Sequence, residues 1–255
     1  MTLKVLSLNI FEGGLFFDNI LAFIKREQPD VLCLQEVYNG ITTTLPRCYQ
    51  SLNVLQTALP EYTYYFSPEM LAITIEGKID LGNAIFSRFP ITKSDTHFFN
   101  TPYGEYPQVP SDGDWSKDPH NIQHCVVDAN GSNLHVFNAH GVWGLDGDDN
   151  PDRLQMSKVI IDQIKGKKPA VLMGDFNTRP ETKTMKNIER HMVNVFKDQL
   201  KTSFNLAHKD LKKSPGYATA VVDMFFVSKD VTVINQSVPT DDVSDHLPLL
   251  CEIEI

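Results

Sequence analysis

The chain has 255 residues, of which 42% are hydrophobic, and carries a formal net charge of −9. This composition is typical of a globular protein with a large core, and no apolar stretch reaches the roughly 18 residues that a membrane span needs. The acidic balance disfavours a protein that binds duplex DNA through a broad basic face. We therefore expect a single domain over residues 1–255.

In chain order, hydrophobic spacing and turn residues predict elements in the first half of the chain. These are a strand over residues 3–8, an amphipathic helix over 17–26, a strand over 30–34, a helix over 47–59, and strands over 62–66 and 83–87. Residues 100–121 are rich in Pro, Gly and Asp, so this stretch is predicted to be irregular.

The second half alternates strands and helices in the same way. A hairpin is predicted for residues 123–128 and 133–138 around Asn130-Gly131, a strong turn signal. Helices follow over 151–165, which has a proline near its first turn, and over 183–196. The apolar run 170–173 is predicted to be a buried strand, and strands over 221–227, 231–236 and 249–255 complete the chain. The mixture of strands and helices indicates α/β layers.

The N-terminus and the cysteines bear on the compartment. Residues 1–4 run directly into a predicted strand, without the basic start, apolar middle and cleavage site of a signal peptide. Cys33, Cys48, Cys125 and Cys251 are dispersed and lack zinc-type spacing. Buried reduced thiols are therefore expected, which favours a cytoplasmic protein.

Polar side chains lie at the ends of four of the predicted strands. They are Asn9, Glu36, the pair Asp175 and Asn177, and the dipeptide Asp245-His246. Strand ends held by a rigid sheet can converge on one cleft, so we expect a shared site. Hard oxygen and amide ligands with one paired His suit Mg²⁺ or Mn²⁺ and the hydrolysis of phosphate esters.

Each of these groups also has an ordinary structural interpretation. A lone Asn at a strand end, such as Asn9, is usually a turn residue. An Asp before a His is often a cap or a surface pair. Glu36 is more informative, because a Glu that follows a buried strand is rarely left unpaired. The joint occurrence at four strand ends is what favours a functional site.

Seven short blocks point to a known family. They are Ser7-Leu8-Asn9, Leu34-Gln35-Glu36, Asn83-Ala84-Ile85-Phe86-Ser87-Arg88, Asn138-Ala139-His140, Gly174-Asp175-Phe176-Asn177, Val222-Asp223-Met224-Phe225-Phe226-Val227 and Ser244-Asp245-His246. With these blocks in this order, the chain resembles the endonuclease/exonuclease/phosphatase superfamily of metal-dependent phosphoesterases. The resemblance implies a four-layer α/β sandwich: two mixed, mainly antiparallel sheets packed face to face, with helices on both outer sides.

The resemblance and the chemistry together suggest a metal site. Glu36 is the best single ligand, an anionic oxygen on a rigid strand end. By resemblance, Asn9 would support it through its amide oxygen, and Asp245 would face the metal or its waters. Asp175 would orient or deprotonate the attacking water. Asn177 would lie on the same side as Asp175 if the segment stays extended, and its amide could donate to a phosphate oxygen.

The remaining roles concern protons and charge on the phosphate. His246 is the acid/base candidate, and its ring needs a carboxylate to fix the tautomer. By resemblance, that carboxylate belongs to Asp223. His140 would donate to a non-bridging phosphate oxygen and stabilise the pentacovalent state.

Other polar and aromatic residues receive no catalytic role. His97, His120, His124, His135, His191 and His208 are interpreted as surface or core histidines. Trp115 and Trp143 could form a wall for a base, a sugar or an acyl group, or could equally anchor their loops. Arg88, Arg153 and Arg179 could each reach a phosphate. Residues 141–149 are interpreted as a substrate-side loop.

The expected function is a Mg²⁺- or Mn²⁺-dependent hydrolase of phosphoester bonds, whether a phosphodiesterase, a nuclease or a phosphatase. The alternatives are a catalytically silent binding module of the same fold, or a DNA-repair endonuclease or exonuclease. His140 occupies a position at which some DNA-repair members of the family have tyrosine. This difference disfavours cleavage at abasic sites as the function. A small molecule, a lipid head group or a nucleic-acid end remain open as substrates, and a monomer is expected.

Overall fold

The computed structural model describes residues 1–42, 44–197 and 199–255. In the first half of the chain the elements are β1 (Thr2–Asn9), α1 (Phe17–Glu27), β2 (Val31–Asn39), α2 (Ser51–Ala58), β3 (Thr63–Thr74), β4 (Gly77–Ser87), β5 (Ile91–Phe98), β6 (Glu105–Pro107) and β7 (Asn121–Ala129). In the second half they are β8 (Ser132–His140), α3 (Pro151–Ile164), β9 (Ala170–Asp175), α4 (Lys183–Glu189), β10 (Val193–Asn194), β11 (Asp223–Val227), β12 (Thr232–Ser237) and β13 (Leu249–Glu254).

Two mixed sheets form the centre of the structure. The first has seven strands in the order β12-β13-β1-β2-β4-β3-β6, and the second has six in the order β10-β11-β9-β8-β7-β5. The pairs β1/β2, β3/β6 and β8/β9 are parallel, and the other pairs are antiparallel. The predicted α/β class, with two mixed, mainly antiparallel sheets, is confirmed.

The hydrophobic core is divided into layers by the alternation of side chains along each strand. Val5 of β1 and Val171 of β9 belong to the cluster between the two sheets. Leu6 points to the opposite face and packs with Ile20 of α1. On the other side, Leu172 packs with Ile160 of α3. The result is a sandwich of four layers, with helices outside both sheets.

Local chemistry accounts for most of the element boundaries. The hairpin between β7 and β8 turns at Asn130 and Gly131, which both have positive φ angles, 55° and 91°, as a tight hairpin turn requires. Helix α3 begins at Pro151, where the side chain of Asn150 accepts a hydrogen bond from the backbone of Arg153. Both predictions are confirmed.

Three predictions of secondary structure were wrong. The helix over 183–196 ends at Glu189, and Val193–Asn194 instead pairs with β11, which lets Phe196 enter the core between the sheets. Strand β5 was missed because it lies at a sheet edge and none of its residues is fully buried. Residues 100–121, predicted irregular, contain β6 and a short 3₁₀ helix at Trp115–Lys117. Within the described residues, no helix is long and apolar enough to cross a membrane.

Candidate functional site

Three of the predicted site residues form one row across the second sheet. His140 of β8 pairs in register with Asp175 of β9, and Asp175 pairs in register with Asp223 of β11. Residues directly opposite each other on neighbouring strands point to the same face of the sheet. All three side chains are buried. The sheet itself therefore brings the two carboxylates and the imidazole to one side.

A bulge in the first sheet directs Glu36 toward this row. The pairing of β2 with β4 shifts between Leu34 and Val37, and Glu36 has a φ of 60°. Bulges of this kind re-aim a side chain out of the regular ladder. The Glu36 carboxylate accepts hydrogen bonds from the amide of Asn9, at 2.9 Å, and from the backbone of Glu12, at 2.7 Å.

Asn9 connects the two sheets at the site. Its Nδ2 donates to Glu36 Oε1 at 2.9 Å and to Asp175 Oδ2 at 3.2 Å, while its Oδ1 accepts from the backbone N–H of Phe11. The predicted use of the amide oxygen as a metal ligand does not fit this orientation. A donor between two carboxylates is favourable, and ligation through oxygen would require the amide group to turn over and lose the Phe11 hydrogen bond.

Asp175 is held as a carboxylate. Its Oδ1 accepts from the backbone N–H of Asn177 at 2.8 Å. Burial alone would raise its pKa, but the nearby imidazoles of His246 and His140 outweigh burial and lower the pKa below its usual value. Asp175 is therefore ionised at neutral pH and can accept a proton or a hydrogen bond from water.

His246 and Asp223 form a buried pair. His246 Nδ1 lies 2.8 Å from Asp223 Oδ2, and the His246 ring packs edge-on against Phe204 with centroids 4.6 Å apart. Burial lowers the pKa of His246, but the attraction of Asp223, then of Asp175 and Asp245, outweighs it and raises the pKa to about 10. This pairing places Nε2 toward Asp175 Oδ2, at 3.9 Å.

Ligand atoms of Asp175, Asp223 and His246 all lie within 4.8 Å of one another, as they would in a metal cluster. The hydrogen bonds argue for a different use. A protonated imidazole whose Nδ1 is bound to a carboxylate is a proton donor, not a metal ligand. We therefore interpret this group as an acid/base relay.

A second histidine–carboxylate pair involves a residue that the sequence did not suggest. His140 Nδ1 lies 3.0 Å from Glu69 Oε2, and Glu69 Oε1 accepts from Asn83 Nδ2 at 2.9 Å. Burial lowers the pKa of His140, but Glu69, Asp175 and Glu36 outweigh burial and raise it to about 9. The available signal for Glu69 was a Glu before the apolar pair Met70-Leu71, since Glu is rarely buried unpaired.

Asp245 lies on the other side of His246. Its Oδ1 is 3.9 Å from His246 Nε2, and its Oδ2 accepts a hydrogen bond from the ammonium of Lys209. The neighbouring Ser244 hydroxyl donates to the backbone carbonyl of Asn9 at 2.7 Å, which ties the segment to the end of β1. Asp245 is thereby fixed beside His246 and the end of β1.

Asn177 reaches the site by a route that differs from the prediction. The segment after Asp175 is not extended, because Asn177 has a φ of 51°. Its Nδ2 donates to the backbone carbonyl of Gly141 at 3.0 Å. The hydrogen bond from the Asn177 backbone to the Asp175 carboxylate stabilises the turn. The Asn177 side-chain amide has a second N–H, which can donate to a ligand or to water.

Two of the three arginines considered for phosphate binding, Arg153 and Arg179, are bound to the 141–149 loop. Arg153 is fully buried and donates to the backbone carbonyls of Val142, Gly144, Asp148 and Asn177. The idea that Arg153 could reach a phosphate is therefore wrong: its guanidinium holds the 141–149 loop against the turn after β9. Arg179 pairs with Asp148 of the same loop.

A cleft of about 270 Å³ opens beside the His140–Glu69 pair. Its lining includes Glu36, His140, Tyr38, His120 and the two tryptophans, Trp115 and Trp143, whose rings meet edge to face at 5.2 Å. Burial is the main cause that lowers the pKa of His120, to about 4, so this ring is neutral. Among the described residues that line the cleft there is no Lys or Arg, whereas Glu12, Glu69 and Asp118 add negative charge.

The donor set fits a hard divalent cation. Glu36 and Asp175 present carboxylate oxygens to the Asn9 amide, and Asp245 follows Ser244, whose hydroxyl is bonded to the Asn9 backbone carbonyl. Both imidazoles are already bound to their own carboxylates. Oxygen ligands of this kind suit Mg²⁺ or Mn²⁺. The described part of the site offers no thiolate that would favour zinc.

The sequence was compared with models of known protein families. The model of the Endonuclease/Exonuclease/phosphatase family matches residues 6–246. The chain belongs to this family. Members are generally phosphoester hydrolases that depend on a divalent metal. No curated protein sequence matches the chain.

Solved structures share the fold at low sequence identity. A family member from Bacteroides vulgatus is 20% identical, with a TM-score of 0.72, and the alignment covers 100% of this chain and 99% of that one. A mannosyl-6-phosphatase from Bacteroides thetaiotaomicron is 20% identical, with a TM-score of 0.72 and coverage of 99% and 100%. The human Nocturnin catalytic domain with bound sulfate is 19% identical, with a TM-score of 0.66 and coverage of 99% and 94%.

Proposed function

We propose that the protein is a Mg²⁺- or Mn²⁺-dependent hydrolase of phosphoester bonds that works by in-line attack of water. The observation that carries the proposal is the convergence of Asp175 and two histidine–carboxylate pairs beside Glu36. Such a set supplies a metal ligand, a group that orients water and two imidazole donors, which are the parts that hydrolysis of a phosphoester needs.

In the proposed mechanism, the phosphoryl group lies between His140 and His246. Glu36 and Asp245 would hold the divalent cation, which would supply neutralisation of charge on a phosphoryl oxygen, and Asn9 would position Glu36 through its amide N–H. The protonated His140 ring donates to a non-bridging oxygen, and Glu69 keeps that ring charged and oriented. Charge that develops on the phosphoryl oxygens is thus met by fixed donors.

In this proposal, Asp175 and the His246–Asp223 pair carry out proton transfer. Asp175 is ionised and orients the attacking water, whose proton it can accept. The His246–Asp223 pair exchanges a proton with the reacting group through Nε2. The amide of Asn177, fixed by the Gly141 carbonyl, donates to a second phosphoryl oxygen.

The charge and the aromatic lining of the cleft indicate which class of substrate it can bind. A nucleic acid presents a phosphate at every step, and the cleft offers it negative side chains in place of the usual Lys and Arg. The ring edges of Trp115 and Trp143 suit an uncharged ring. We propose phosphoesters of small, uncharged, ring-containing alcohols, a class that also includes the substrate named for the structurally similar mannosyl-6-phosphatase.

A panel of substrates with Mg²⁺ or Mn²⁺ tests this assignment. The panel contains hexose phosphates, inositol phosphates, sphingomyelin, abasic duplex, single-stranded DNA and RNA, and a tyrosyl-DNA end. We expect kcat/KM for a hexose phosphate to exceed that for any oligonucleotide by a factor on the order of 10² or more, since like-charge repulsion disfavours the polyanions. Asp175→Asn, prepared in parallel, gives the background from contaminating phosphatases.

The outcomes separate the candidate functions. Fastest turnover of the abasic duplex or another nucleic acid would contradict the proposed substrate class and favour a DNA-repair enzyme. No turnover of any substrate would favour the catalytically silent binding module.

Three further expectations belong with this proposal. We propose that residues 1–255 act as one catalytic domain, and that the protein is a monomer. Cys33, Cys125 and Cys251 are buried free thiols in the core between the sheets. Reduced buried thiols support a cytoplasmic location.

A further inference from the structure

A lysine, Lys209, lies against the carboxylate of Asp245. Lys209 donates from its ammonium to Asp245 Oδ2, and only 12% of its side chain is exposed. In the sequence, Lys209 lies in a short basic segment with Lys212 and Lys213, and lysines in such segments usually extend into solvent. A lysine this buried must have its charge compensated, and here the partner is a carboxylate of the proposed metal site.

Three aromatic rings surround the Lys209 ammonium. Its Nζ is 4.5 Å from the ring centroid of Phe204, 4.6 Å from that of Tyr217 and 5.9 Å from that of Phe11. A cation near several aromatic faces is attracted by each of them, and partial burial strengthens the attraction. The rings thus hold the charge of Lys209 in one position beside Asp245.

The backbone around Lys209 is also tied to the site. The backbone N–H of Asn205 donates to the Asp245 carbonyl at 2.8 Å, and its side chain donates to the Ser244 carbonyl at 3.1 Å. Phe204 pairs with His246 across an isolated bridge, and the same Phe204 ring contacts the imidazole. Lys209 is therefore positioned by the segment that also covers the His246 ring.

The position of this lysine changes the charge balance of the site. The Glu12 backbone is bonded to the Glu36 carboxylate, and Asp175 and Asp245 each lie 3.9 Å from His246 Nε2, so four carboxylates add negative charge around the site. With Oδ2 bound to Lys209, only Oδ1 of Asp245 remains toward His246. A divalent cation that binds both carboxylate oxygens of Asp245 would have to displace the Lys209 ammonium. This ammonium is already bound to Asp245 and lies against aromatic rings.

We propose that Lys209 is a built-in cation of the catalytic site, which holds one oxygen of Asp245 and limits the site to a single divalent cation beside Glu36. The inference rests on the metal centre of the proposed function. In this arrangement Lys209 is a positioning residue: it acts through Asp245 and does not touch the substrate.

The number of bound Mn²⁺ ions tests the proposal directly. Calorimetric titration of metal-free protein, with free Mn²⁺ measured in parallel by paramagnetic resonance, should give one equivalent for the wild type. Lys209→Met keeps an unbranched side chain of nearly the same length and removes its charge, so we expect two equivalents. Lys209→Arg keeps the charge and should bind one. Lys212→Met, which removes the same charge from an exposed side chain of the same segment, should also bind one.

Each result supports or overturns the inference. One equivalent in Lys209→Met, with the affinity of the wild type, would overturn it. Two equivalents in the wild type would also overturn it, and this measurement stands even if Lys209→Met fails to fold. A wild type that binds no Mn²⁺ and hydrolyses no phosphoester would instead refute the proposed function.

Discussion

Replacing His246 with alanine should lower kcat by a factor on the order of 10² to 10⁴, the range that general acid–base catalysis contributes. Replacing Asp223 with alanine should cause a loss of at least about 10², because the imidazole loses the carboxylate that orients it and keeps it charged. Steady-state kinetics with a substrate from the panel, at saturating metal, measure both losses. His191→Ala, at an exposed histidine, is the matched control and should be unaffected.

The double variant distinguishes a pair from two independent residues. If His246 and Asp223 act as one unit, the double variant should be little slower than the slower single variant. Strictly multiplicative losses in folded proteins would mean that Asp223 serves only the structure of β11. Circular dichroism and thermal melting of each variant show whether the fold is retained.

The second large effect concerns His140. His140→Ala should lower kcat by a factor on the order of 10² to 10³, the usual consequence of removing a donor to a developing oxyanion. Glu69→Gln keeps the shape of the partner and removes its charge, so the pKa of His140 should fall and the rate should decline at lower pH than in the wild type. Rate profiles from pH 6 to 10 measure the displacement.

Stability should report the same pair. The folded-state pKa of His140, about 9, lies above its ordinary value of 6.5. The pair therefore stabilises the fold fully below about pH 6.5, and this contribution is lost as the pH rises through about 9. Glu69→Gln should lower the melting temperature near neutral pH, and the difference should shrink above pH 9. Glu76→Gln, at an exposed glutamate, is the control. An identical difference at every pH would contradict a charged pair.

Much of the candidate site was accessible from the sequence because its residues stand at the ends of apolar runs. Asn9, Asp175 and His246 could be placed together once those runs were interpreted as buried strands. Their hydrogen-bond partners were less accessible. Glu69 lies within β3, and only the packing of the two sheets brings it to His140.

Other features depended on tertiary contacts that no local pattern encodes. Lys209 looks like a solvent-exposed base, and its partner Asp245 lies 36 residues away. Arg153 looks like a phosphate-binding residue on a helix, but the folded loop takes up its guanidinium. The helix predicted beyond Glu189 was overridden by the burial of Phe196 between the sheets. In each case packing decided the outcome over local propensity.

Turnover of a chromogenic phosphoester by chelated protein, before and after addition of Mg²⁺ or Mn²⁺, tests the proposed hydrolase most directly. Chelation should reduce the rate by a factor on the order of 10² or more, because charge on the phosphoryl group would lose its main counterion. Added metal should restore the wild type, while Asp175→Asn should stay slow at any metal concentration. Full activity in the chelated wild type, or wild-type rates in reloaded Asp175→Asn, would contradict a metal-dependent mechanism centred on this site.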